Sequence, residues 1–224
     1  MALNKLKFNS LNVTPTAGKT VGFNSSANGL EATLNGGSMT FIKKLTASSS
    51  STLSFVDGSS DVVLDNTYKE YLFMFKNIHP ETNAKEFGFN LSIDAGSNYN
   101  VQKTTTSFDA FNAEAGNDQG LRYDGNNNDL ANGTGFMYFN YDAGNENDAN
   151  LNGYMHLFNP SSTTFAKHFI STSNSMSYTS DPYSLNPFTA GYGNTTSTVD
   201  AIQFKMSSGN IDAGTIKLYG IKDS

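Results

Sequence analysis

The stretch that most constrains this chain is residues 199–221. Its apolar side chains fall on every second position. Ile202, Phe204 and Met206 alternate with Ala201, Gln203 and Lys205, and Ile216 and Leu218 alternate with Lys217 and Tyr219. A period of two belongs to a strand with one buried and one solvated face; a helix repeats every 3.6 residues. Between the two runs lie Ser207, Ser208, Gly209, Asn210, Asp212 and Gly214, mostly turn formers. The predicted element is a hairpin of two inner strands, with Ile202, Phe204, Ile216 and Leu218 in the core.

Similar segments recur upstream. Residues 39–45, 52–56, 151–158, 164–170 and 188–192 read as strands, bounded by turn signals such as Asp57-Gly58 and Asn159-Pro160. In 86–94, Phe87, Phe89, Leu91 and Ile93 are predicted inward, and 99–106 is predicted to continue it as a meander. The densest run, 68–78, holds Tyr68, Tyr71, Leu72, Phe73, Met74, Phe75 and Ile78 and predicts a central strand covered on both faces. A short helical turn is predicted around 110–115. Residues 109–150 and 171–187 read as long polar stretches, the first containing a strand over 135–139. The expected fold is all-β, with about eight to ten strands in an antiparallel β-sandwich of the jelly-roll kind. It occupies residues 38–224.

Residues 1–37 differ. Short extended pieces carrying Leu3, Leu6, Phe8, Val21 and Phe23 alternate with turn signals, and large apolar side chains are few. The segment has too little to build its own core and reads as an extended arm that docks on another protein.

Composition narrows the function classes. The formal net charge is −6 and Arg122 is the only arginine, so there is no basic stripe for nucleic acid. No apolar run is long enough to span a membrane, and the first residues are too polar for a signal peptide. Cysteine is absent, which removes disulfides and thiolate metal sites and suits a protein made in a cytoplasm.

No motif for a nucleophile elbow, a zincin site or a phosphate loop occurs. Glu86, Asp94 and Asp109 are the carboxylates with a place in a strand-lined glycosidase cleft, but each also sits at a strand start or turn, where a carboxylate is simply solvated or caps a loop, and no second motif supports the catalytic reading. His156 and His168 flank one predicted hairpin, where they suit a metal pair or two solvated rings. Asp124, Asn126 and Asn128 have the alternate spacing of a calcium loop but lack its central glycine and trailing glutamate. Calcium is therefore a weak expectation and no other cofactor is expected. Tyr138, Tyr141, Tyr178, Tyr183 and Tyr192 lie among Asn, Asp, Gly and Ser, a composition that suits a glycan-reading or protein-docking surface.

Four segments carry a family resemblance: Asn77-Ile78-His79-Pro80, residues 94–100 (DAGSNYN), residues 157–164 (LFNPSSTT) and residues 201–221. With Leu3 to Phe8 and Phe23 to Glu31, they resemble virion structural proteins of tailed marine bacteriophages, cyanophages especially. The resemblance implies a non-enzymatic particle component made in the host cytoplasm and located in the virion. It further implies contacts with other virion proteins and a homo-oligomer, a trimer among the candidates. Host attachment through surface glycans, as a carbohydrate-binding module or a glycan-degrading tail enzyme, is the alternative.

Overall fold

The computed structural model describes residues 20–23, 26, 29–33, 38–123 and 128–223. The chain divides into two compact units, residues 1–38 and 39–224. In the first, β1 (Thr20–Phe23) and β2 (Leu30–Thr33) pair antiparallel, Thr20 opposite Thr33. Leu3, Leu6 and Phe8 lie outside the described residues. Val21 and Phe23 are exposed.

The second unit holds twelve strands and, among the described residues, no helix. They are β3 (Met39–Ser50), β4 (Leu53–Val56), β5 (Glu70–Pro80), β6 (Phe87–Ser92), β7 (Lys103–Ala113), β8 (Gln119–Tyr123), β9 (Met137–Tyr138), β10 (Leu151–Phe158), β11 (Lys167–Met176), β12 (Tyr183–Gly193), β13 (Ala201–Met206) and β14 (Ile211–Ile221). One sheet has eight strands in the order β3-β14-β5-β10-β11-β12-β7-β8, and the other has four in the order β4-β13-β6-β9. All pairings are antiparallel.

The two sheets pack face to face as a β-sandwich. Phe204 of β13 meets Phe73 and Phe75 of β5 at ring-centroid distances of 5.5 and 5.4 Å. Phe75 meets Phe87 at 5.3 Å, and Phe89 of β6 meets Phe169 of β11 edge-on at 4.9 Å. Every one of these pairs joins the two sheets. Each such ring is fully or almost fully buried, and its removal from water stabilises the fold by about 1.5–3 kcal/mol.

The C-terminal hairpin does not form. β13 lies in the four-stranded sheet and β14 in the eight-stranded one, so the 207–210 segment is an arch between sheets. Ile202, Phe204, Ile216 and Leu218 are all fully buried, facing one another across the core instead of lying side by side. Alternation fixes which face of a strand is apolar but not which neighbour it pairs with.

Five further expectations are corrected. β5 is covered on one face only: Tyr71, Phe73 and Phe75 point in, and Met74 is exposed. The strand covered on both faces is β6, because Asn90 on its other side is held by the carbonyls of Tyr99 and Thr134. Ile93 lies beyond its end and is exposed. Strands β6 and β7 form no meander, since residues 94–102 carry the chain across to the other sheet. The helical turn around 110–115 is the end of β7 and its turn into β8, paired Ala110 to Leu121. Most of 171–187 is strand, because Ser171, Ser173 and Ser175 point inward with the period of two.

Candidate functional site

Strands β11, β12, β7 and β8 continue the large sheet past β3, β14, β5 and β10. Their inner face holds Phe169 and Leu185 but is otherwise largely polar: Ser171, Ser173, Lys103, Thr105, Ser107 and Asp109 are buried there. The segment 128–144 covers it and supplies partners. Thr105 Oγ1 donates to the Asn128 carbonyl at 2.6 Å and accepts from the Leu130 N–H at 2.7 Å. Ser173 donates to the Phe139 carbonyl at 2.5 Å. A buried hydroxyl is tolerated when it is paired in this way. Lys103 Nζ donates to the Val101 carbonyl at 2.8 Å and to Asn90 Oδ1. Burial pushes its pKa down to about 7.

At the far end of this face the only arginine meets a buried carboxylate. Arg122 Nε donates to Asp109 Oδ1 at 2.9 Å. The guanidinium carbon lies 5.0 Å from the Phe111 ring centroid and 4.9 Å from that of Tyr141. Such a cation between two rings is held by their negative faces. Beside it is a pocket of about 230 Å³ lined by Asp118, Tyr141, Asp142, Ser177 and Tyr183. The Tyr183 hydroxyl donates to Asp118 Oδ2 at 3.0 Å. That bond, followed by burial, raises the phenol pKa.

Two of the five candidate tyrosines, Tyr141 and Tyr183, meet in this pocket. Tyr178 stands next to it, its N–H donating to the Asp142 carbonyl at 2.6 Å. Tyr138 is elsewhere, on β9, half-buried, its pKa raised by burial and then by the charge of Glu86. Tyr192 lies on β12 with its ring 5.6 Å from His168. Of the five only Tyr178 is well exposed, because the others lean on the sheets.

The other candidates are not assembled into a site. Glu86 and Asp94 flank opposite ends of β6, about 25 Å apart by strand rise. A glycosidase pair needs less than about 10 Å. Asp94 instead binds its own turn through Asn98 and Ser92, which lowers its pKa. Asp109 is committed to Arg122. His156 pairs with Ile170, not with His168, and its Nδ1 contacts Glu70. Asp124 and Asn126 lie outside the described residues; Asn128 is buried against β7. Among the described residues no group of three or more His, Cys, Asp or Glu is placed to hold a metal.

The largest feature is one that sequence reasoning missed. On the outward face of the eight-stranded sheet, Tyr154, Ile170, Phe188, Phe108, Leu121 and Tyr123 are 41–71% exposed. Cross-strand register aligns four of them. Tyr154 is opposite Thr172, Thr172 opposite Phe188, Phe188 opposite Phe108, and Phe108 opposite Tyr123. The outward positions of β10, β11, β12, β7 and β8 carry no Asp, Glu, Lys or Arg. Charged side chains on this sheet lie on β3, β14 and β5, among them Lys44, Lys217, Lys76 and Glu70. The signal was present in the sequence as alternation, but alternation does not say which of two half-apolar faces is the core.

The Phe108 and Phe188 rings stack at 5.4 Å with 11° between their planes. Strands lie about 4.8 Å apart. The rings therefore pack face to face with each other, and their faces are partly taken up before any ligand arrives. Sugar stacking needs a free ring face; packing against apolar side chains does not.

No family model, curated protein or solved structure matches the chain.

Proposed function

We propose that the chain is an accessory structural protein of a bacteriophage virion that works by contact and not by catalysis. Residues 1–37 dock on the particle and the β-sandwich head projects from it, as a tail-fibre or tip component or a capsid decoration. The virion setting rests on the sequence resemblance. The mode of action rests on one observation, the uncharged outward face of β10, β11, β12, β7 and β8 with its large apolar side chains. Monomeric soluble proteins seldom leave so wide a face without charge, and such faces mark protein contacts.

The order of strands supports reading the sandwich as a jelly roll. Chain order steps between sheets, with β3, β5, β10 and β14 in one and β4, β6, β9 and β13 in the other. Two Greek keys rolled together alternate in this way. In this reading the β7-β8 and β11-β12 pairs are insertions that widen one sheet and create the outward face.

The test is incorporation. Purified particles contain the chain, and deletion of residues 1–37 leaves a folded, soluble head that no longer enters them. A truncated protein that assembles normally removes the arm from the account.

A second reading is favoured by the Arg122 pocket. Tyr141, Tyr183, Asp118 and Asp142 combine aromatic surface with hydrogen-bonding groups in a space below the about 300 Å³ of a drug-sized site. That suits contact with one ring of a host-surface glycan. A glycan array with the full chain and its Tyr141→Ala variant tests it: binding by the first and its loss in the second support it, and an array with no signal removes it.

A further inference from the structure

The uncharged face has a self-complementary chemistry, and we propose that its occupant is a second copy of this chain, packed sheet to sheet about a two-fold axis. The inference deepens the assembly reading above and rests on the same face.

Area supports it. A fully exposed large apolar side chain offers about 200 Å². At 41–71% exposure, Tyr154, Ile170, Phe188, Phe108, Leu121 and Tyr123 together expose about 600 Å². The neutral residues between them, such as Thr106, Thr172 and Ala190, bring the footprint close to the about 800 Å² per partner of a standard specific interface.

Charge supports it as well. Each copy carries a net charge of −6, so two copies repel at long range and pay for any charge they bury. The β10-to-β8 face is where two copies can meet without burying an Asp, Glu, Lys or Arg of those strands; its titratable groups other than tyrosine are His156, which contacts Glu70 at the rim, and His168. It also offers no charge pattern by which an unlike partner would be selected or steered. A two-fold places the same patch on both sides, so the Phe108–Phe188 stack of one copy lies against apolar residues of the other. The edge strand β8, with Leu121 and Tyr123 its most exposed apolar side chains, gains cover in the same contact.

The experiment is the mass of the full-length protein in solution, measured by light scattering or sedimentation at micromolar concentration, for the wild type and for Phe188→Asp. The expected wild-type mass is twice the 24.2 kDa of the chain. The variant is expected at the single-chain mass with an unchanged far-ultraviolet spectrum, its dissociation constant raised at least a hundredfold. If Phe188→Asp does not fold, Leu121→Lys on the exposed edge strand reads the same property. A wild-type monomer, a trimer, or a dimer that survives both substitutions overturns the proposal. So does a monomer that binds neutral polysaccharide through this face, with binding lost in Phe188→Asp. A wild-type monomer that is still found in particles defeats the pairing and leaves the virion reading standing; a dimer absent from particles does the reverse.

Discussion

Arg122 and Asp109 form an ion pair in which the two partners live in different solvents. The Asp109 side chain is fully buried and the Arg122 side chain is about half exposed, 48%. The pair joins β8 to the inner face of β7 and closes the polar end of the large sheet.

Removing the arginine alone therefore leaves a buried carboxylate without its cation. Arg122→Ala is expected to destabilise the fold by about 3 kcal/mol, read from urea denaturation. Asp109→Asn combined with Arg122→Met is expected to recover most of that loss, because no uncompensated charge remains. A single variant as stable as the wild type shows the pair to be ornamental.

Phe204 stands at the centre of the sandwich, with Phe55, Phe73, Phe75, Phe87, Phe89 and Phe139 around it. Phe204→Ala is expected to cost about 3–5 kcal/mol, as large-to-small changes in packed cores do. Phe188→Ala on the outward face is expected to cost under about 1 kcal/mol in the dissociated protein. Equal losses at the two positions contradict the assignment of inner and outer faces.

Lys103 makes stability depend on alkaline pH. Burial lowers its folded pKa to about 7 from 10.5. Between these values the unfolded chain holds a proton that the folded chain has released, so stability rises with pH across the window. The stability is fully present above 10.5 and is lost as pH falls through about 7. Urea midpoints measured from about pH 6 to about 11, the span that brackets the shift, are expected to climb in the wild type. In Lys103→Met that part of the slope disappears. A slope unchanged by the substitution assigns it to other groups.

Gly88 has no room for a side chain. A Cβ there would lie 2.4 Å from the Met137 carbonyl oxygen and 2.6 Å from the Tyr138 ring. Gly88→Val is expected to push β9 off β6 and to raise hydrogen exchange at Phe139, whose N–H donates to Phe87 O at 2.8 Å. Unchanged protection there means that β9 is held by other contacts.

Much of the fold was legible in the residues, and the reasons for the gaps are physical. Ile202, Phe204, Ile216 and Leu218 announce inner strands because their side chains do nothing but pack. The sheet to which each strand belongs was hidden, because an arch and a hairpin use the same turn formers. Ser171, Ser173 and Ser175 read as loop because a polar inner face is rare; here Ser173 finds the Phe139 carbonyl of segment 128–144 and Ser171 the Thr189 carbonyl of β12. Tyr141 and Tyr183 stand out by composition and do meet, but Arg122, between the Phe111 and Tyr141 rings, comes from a strand pairing that spacing does not encode. Phe188 opens a predicted strand and Phe108 lies between a predicted strand and a polar stretch, so only the register shows them side by side on the outside.

The central claim is that the uncharged face of the large sheet is a protein contact inside an assembled particle. An electron-microscopy map of the intact particle tests it most directly. The account predicts this chain in the map, with Tyr154, Phe188, Phe108 and Tyr123 covered by protein density. A particle that lacks the chain, or holds it with that face open to solvent, would contradict it.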